Sequence, residues 1–202
     1  MSLIDILYRP ADRVLRSAQP LDGLAPLLMR LYLAPVLMQS GWDKMMTFDK
    51  TVSWFGNTGW GLGLPMPEVL VALVSGFEFF GAWLLIVGLA VRWISIPLML
   101  IMIMAALSVH WQYGWLAIAD ASSWLANERI MASAERLEAA RTILQEHGHY
   151  DWLTGRGAFA ILNNGIEFAA TYFIMLLSLF FTGGGRYLSM DYWIARRHNL
   201  LR

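Results

Sequence analysis

Cysteine is absent from the sequence. Disulfides, thiol redox chemistry, thiolate zinc sites, cysteine-ligated iron–sulfur clusters and covalently attached haem are therefore excluded. Any redox role must run through a bound quinone, a flavin, or a metal held by histidine, methionine or carboxylate. Net charge is missing as well, since 15 Lys and Arg balance 15 Asp and Glu. Without a basic excess, no nucleic-acid partner is expected. The chain also lacks a P-loop, a dinucleotide fingerprint and a Ser-His-Asp order. A secretory leader is not expected. Residues 1–7 have no leading positive charge and too short an apolar core, and Arg9, Arg13 and Arg16 follow them. Leu3, Ile4, Leu7, Val14 and Leu15, interleaved with Arg and Asp, read instead as an interfacial amphipathic segment.

Apolar sequence is what the chain has in abundance. Hydrophobic residues make up 57% of it and mean hydropathy is +0.49, against roughly 45–50% apolar for a soluble domain. The excess lies in long runs, the pattern of membrane spans. Four runs qualify: 24–42, 69–91, 93–111 and 158–181. Each can cross a hydrocarbon core of roughly 30 Å. The expected fold class is all-α: one domain over 1–202, a polytopic membrane four-helix bundle with an extramembrane amphipathic helical insert. Residues 43–68 combine Trp54, Phe55, Trp60 and Leu64 with four glycines and end at Pro65 and Pro67. They read as an interfacial or partly re-entrant loop with an aromatic belt.

Lys and Arg set the expected orientation. Arg9, Arg13, Arg16, Arg92, Arg186, Arg196, Arg197 and Arg202 fall on one side, against Lys44 and Lys50 in the first loop on the other. The bias places both termini in the cytoplasm and the insert, 120–156, outside. Within the insert, Ser122 or Ser123 is a candidate helix cap. Trp124, Ile130, Met131, Ala134, Leu137, Ile143 and Leu144 recur at helical spacing, with charged residues largely opposite and Gly148 as the stop. Such a helix can lie on the membrane, roof the bundle or dock a partner.

Charges within spans are costly and usually face inward and pair. Arg30, Glu78 and Glu167 are the three here, with Gln39, Asn163 and Asn164 as neutral polar companions. At 1.5 Å per residue, Arg30 and either glutamate are about 7 Å apart in depth, within an arginine's reach. An Arg30–Glu pair is the structural expectation, leaving the other carboxyl protonated or bonded to Gln39 or Asn164; snorkelling of Arg30 to the interface is a further reading. A proton-active or quinone-head-group site is the functional alternative. Gly76-Phe-Glu78-Phe79 and Gly165-Ile-Glu167-Phe168 form a short echo, which suggests that spans two and four are equivalent members of two hairpin repeats. A second polar set comprises His110, His147, His149 and Asp151, a donor set suited to Cu(II), Ni(II) or Zn(II). Ordinary interfacial and loop histidines are the competing reading. Met99, Met102 and Met104 read as packing residues.

Several stretches resemble the DoxX family. Leu28-Met-Arg30-Leu-Tyr-Leu and Gln39-Ser-Gly41-Trp42-Asp-Lys44 resemble its first span. Leu64-Pro65-Met-Pro67, Glu78 with Gly81, Leu84-Leu-Ile-Val-Gly88-Leu and Arg92 resemble its second, and Gly183-Gly-Gly-Arg186-Tyr-Leu-Ser189-Met-Asp191 its ending. The insert is not part of the minimal pattern. With Tyr150-Asp-Trp152-Leu-Thr-Gly155 and Ile161-Leu-Asn163-Asn-Gly-Ile-Glu167-Phe, it is similar to the HvfX branch. That resemblance implies a multi-pass accessory protein of the bacterial inner membrane, in contact with lipid and with protein partners of a modified-peptide biosynthesis system. The peptide would be copper-binding, so copper is the metal implied. Some DoxX relatives are instead membrane subunits of quinone-linked oxidoreductases, which implies a quinone as the alternative.

Overall fold

The structure, a computed structural model, describes residues 17–199. The amphipathic segment expected over 3–15, with Arg9, Arg13, Arg16 and Arg202, lies outside the described residues. The α-helices are α1 (Leu24–Met46), α2 (Phe48–Gly56), α3 (Pro67–Val87), α4 (Val91–Ala105), α5 (Glu128–His147), α6 (Tyr150–Thr154), α7 (Glu167–Thr182) and α8 (Met190–Arg197). Among the described residues extended pairing is confined to one isolated bridge between Ile118 and Leu162. The class is all-α, as the apolar runs require.

Among the described residues, three helical stretches are long and apolar enough to cross a membrane: Gln19–Met46, Pro67–Val87 and Val91–Tyr113. Only 33%, 33% and 22% of their most apolar windows is buried. Leucine-rich helices left mostly uncovered need hydrocarbon rather than water as their surroundings. Leu28, Leu73, Phe80, Trp83 and Leu100 are among the side chains turned outward. Local signals set the ends of α3: Pro67 opens it, Glu68 sits in its first turn, and Gly88 closes it in the left-handed region at φ 69°.

The chain divides into two compact units. The first comprises Met1–Met99 and Ile174–Arg202. Its core is apolar: Leu33, Ala34 and Leu37 of α1, Val71, Ala82 and Leu85 of α3, Val91 and Leu98 of α4, Leu176 and Leu179 of α7. Gly41 lets α1 and α3 touch, because a Cβ there would lie 2.6 Å from the Phe79 nitrogen and 2.8 Å from the Ser75 oxygen. Part of the loop expected over 43–68 is helical. α1 runs on to Met46, α2 follows after Thr47, and Phe55 is buried.

The second unit is Leu100–Phe173. Here the expected fourth span, 158–181, is corrected. Residues 158–166 are non-helical, and α7 is 16 residues long, about 24 Å at 1.5 Å per residue. Asn163, Asn164 and Gly165 cause the break. Asn163 is buried, and its Nδ2 donates to the carbonyls of Tyr113 (2.8 Å) and Leu116 (2.6 Å). Asn164 takes φ 61°, a left-handed value that asparagine tolerates. At Gly165 any Cβ would run into the carbonyl oxygens of Gly114, Trp115 and Leu116. Replacing Asn163 by Leu would strip one of two donors from each carbonyl, leaving Asn127 Nδ2 on Tyr113 and the Gly165 amide on Leu116, a loss of about 1–2 kcal/mol. Faster hydrogen–deuterium exchange of the amides at 117–119 and 163–167 is the expected readout, and unchanged exchange would refute this role.

The insert helix starts later than the serines suggest. Asp120 Oδ1 accepts from the Ser122 amide (2.9 Å) and hydroxyl (2.6 Å), closing a turn instead of capping a helix. These bonds, the hydroxyl foremost, hold the Asp120 carboxyl below its usual range. Asn127 is the true cap of α5, accepting from the Ile130 amide at 3.0 Å. Trp124 stands outside the helix. Ile130 and Ser133 are buried, and Arg141 Nη2 donates to the Phe159 carbonyl at 3.2 Å. Met131 and Ile143, expected on the packed face, are exposed. The covered stripe is rotated because polar anchors fix how the helix docks. Gly148 ends α5 as expected.

Candidate functional site

Arg30 is fully buried in α1. Its Nη1 donates to the carbonyls of Leu85 (3.1 Å) and Leu188 (3.2 Å), and its Nη2 to that of Tyr187 (2.8 Å). The expected ion pair with Glu78 is therefore corrected: the guanidinium ties the last turn of α3 to the segment after α7. A helix end leaves carbonyls without intrahelical partners, and a planar cation with several donors suits them. The Nε of Arg30 is buried without a hydrogen-bond partner. Gly88 is obligatory beside it, since a Cβ there would meet Arg30 Nη1 and, at 2.7 Å, the Ser189 Cα.

The tail completes this polar knot. Ser189 Oγ donates to the Gly88 carbonyl at 3.1 Å, and the Asp191 amide donates to the same oxygen at 3.0 Å. The Asp191 carboxylate accepts from the amides of Ala90 (2.8 Å) and Val91 (2.9 Å), which opens α4 with a cap borrowed from α8. Arg186 pairs with Asp22 at 2.7 Å, and the Tyr187 hydroxyl donates to the Pro20 carbonyl.

Glu78 has a different cation. Lys44 Nζ lies 2.6 Å from Glu78 Oε2 and 2.5 Å from Ser40 Oγ. The Glu78 side chain is 4% exposed and that of Lys44 25%. Trp42 and Phe79 stand alongside with ring centroids 5.8 Å apart. Sequence reasoning missed Lys44 because it ended the first span at Trp42. The available signal was Ser40 and Lys44, four residues apart on one continued helix face. An ion pair inside a span, partly open at one partner and flanked by aromatic rings, is the best-formed site for a ligand or a proton.

The remaining sequence candidates scatter. Gln39 is exposed, so it is not a buried partner of Arg30 or Glu78. Asn164 is also exposed, and the buried amide is Asn163. Glu167 opens α7 and accepts from the Ala117 amide at 2.9 Å. Glu78 lies near the middle of α3, so the two echoed glutamates are not structurally equivalent. His110 sits in a short π-helical stretch, Ala106–His110, and its Nδ1 donates to the Asn164 carbonyl at 2.8 Å. His149 and Asp151 line an open surface cavity of about 560 Å³ with Gln145, Gly148, Tyr150 and Trp152. His147 is an exposed neighbour of Glu146 at 3.8 Å. Among the described residues, no three His, Asp or Glu side chains converge in a metal-binding group. Among the described residues His110, His147, His149 and Asp151 are therefore not brought together as one ligand set.

Both intramembrane charge sites, Arg30 and Lys44–Glu78, fall within one segment that a known family matches. Residues 25–111 match the DoxX family. DoxX is a membrane family, in agreement with the three long apolar helices. The DoxX segment spans α1 to α4 and the helical turns to Trp111. The insert and the tail lie beyond it. No curated protein and no solved structure matches the chain.

Proposed function

We propose that this chain is a multi-pass accessory protein of the DoxX type in the bacterial inner membrane, which assists the maturation or handling of a copper-binding modified peptide. Its termini are cytoplasmic and its insert periplasmic, in line with the arginine bias. The observation that carries the reading is the insert. It belongs to the second compact unit and lies beyond the DoxX segment, and α5 holds its position by Ile130, Ser133 and Arg141 while leaving Met131 and Ile143 uncovered. The same stretch bears the resemblance to the HvfX branch. Copper on this reading is cargo held by the peptide's own ligands.

Affinity purification of the full chain in mild detergent tests this, with bound proteins and metals identified. A copper-binding peptide or its modifying proteins should co-purify with the parent chain. A Met131→Glu/Ile143→Glu variant should lose them while keeping its thermal midpoint. Recovery of lipid alone from the parent chain would overturn the reading. Metal that stays with the chain without peptide, and disappears in a His110→Ala/His147→Ala/His149→Ala variant, would instead place the metal on the chain. The Lys44–Glu78 pair beside Trp42 and Phe79 favours a second reading, a membrane subunit of a quinone-linked oxidoreductase. Stoichiometric quinone absorbance in the same preparation would support it.

A further inference from the structure

The end of the first unit that carries the α3–α4 turn and the tail has surface chemistry that neither the DoxX match nor the proposed function uses. Ser189 and Asp191 fix α8 onto that turn through Gly88, Ala90 and Val91. Arg92 and Trp93 follow in the first turn of α4, and Trp93 is 76% exposed. The Arg92 side chain lies over Gly183, where a Cβ would be 3.1 Å from its Nε. α8 itself shows Met190, Trp193 and Ile194 to the outside, three residues on one helical face, with Leu188 just ahead of them 74% exposed. Arg196 stacks over Trp193 at 5.7 Å from the ring centroid, and Arg197 follows in the last turn.

Among the described residues the charge at this end is unbalanced. Asp22 is engaged by Arg186, and Asp191 is engaged by two backbone amides. Arg92, Arg196 and Arg197 are exposed, and no salt bridge among the described residues engages them. Cationic guanidinium groups beside exposed indole rings, at the ends of apolar helices, match a bilayer interface. The rings sit at headgroup level and the cations meet phosphate. We infer that the α3–α4 turn and α8 form a binding site for the headgroup of an anionic phospholipid, with Arg92, Arg196 and Arg197 as phosphate contacts and Trp93 and Trp193 as interfacial anchors. An arginine presents planar paired donors to phosphate oxygens, which suits retention of individual lipids as well as general attraction.

Native mass spectrometry of the full chain tests this with phosphatidylglycerol and phosphatidylcholine of identical acyl chains added in equal amounts. The parent chain should retain the anionic lipid preferentially. Removing each arginine should weaken that preference by about fivefold. Arg196→Gln/Arg197→Gln, at an exposed helix end, leaves the Arg30 knot untouched and so separates lipid binding from folding. Arg92→Gln added to it should bring the two lipids near parity. Equal retention of both lipids by the parent chain would overturn the inference. So would an undiminished preference in the triple variant.

Discussion

Arg30→Met should lower the thermal midpoint of the purified protein in mild detergent more than any other single substitution in the first unit. Three carbonyl oxygens, on Leu85, Tyr187 and Leu188, lose a charged donor at once. Leu85 keeps the Gly88 amide as a donor, but in an apolar interior the Tyr187 and Leu188 carbonyls cannot turn to water. The loss is about 3–5 kcal/mol, the scale for breaking a buried charged contact. Arg30→Lys keeps the charge, but a compact ammonium cannot span three carbonyls on two segments, so it should recover only part of the loss. Gly88→Ala should act in the same direction, because its methyl group would occupy the place of Arg30 Nη1 and its backbone is left-handed. An unchanged midpoint in Arg30→Met would mean that the tail is held without the guanidinium.

The contrast between Arg30 and the spans shows what the sequence made legible. Long apolar runs announce themselves locally, and the three long spans are where hydropathy puts them. The start of α7 is not, because 158–162 look apolar while the structural decision belongs to Asn163-Asn164-Gly165. Those residues take their conformation from carbonyls at 113–117, far away in sequence. Burial of Arg30 was legible, but its partners were not. They are backbone carbonyls, one of them 158 residues away, and a carbonyl leaves no mark in a residue string. Ending α1 at Trp42 hid Lys44 for a related reason. The aromatic residue reads as an interface marker, while the helix continues to Met46 and carries the lysine back toward Glu78.

That lysine frames the second large expected effect. Lys44→Met leaves the Glu78 carboxylate without its cation, and Glu78→Leu leaves Lys44 with Ser40 as its remaining partner. Each change should destabilise the first unit by about 2–4 kcal/mol. The lower end suits this pair, since Lys44 keeps some access to the surface. The double variant Lys44→Met/Glu78→Leu should recover most of the loss, because two apolar side chains fill the same space without stranding a charge. The coupling in that double-mutant cycle is the measurement, and additive losses would show that the two side chains do not depend on each other. The cycle also separates architecture from use. An ion pair is a poor way to hold two apolar helices together when Gly41 already lets α1 and α3 touch. If the double variant regains stability but no longer supports peptide maturation in cells, the pair is kept for what it binds or protonates. If stability and maturation return together, the pair serves packing alone.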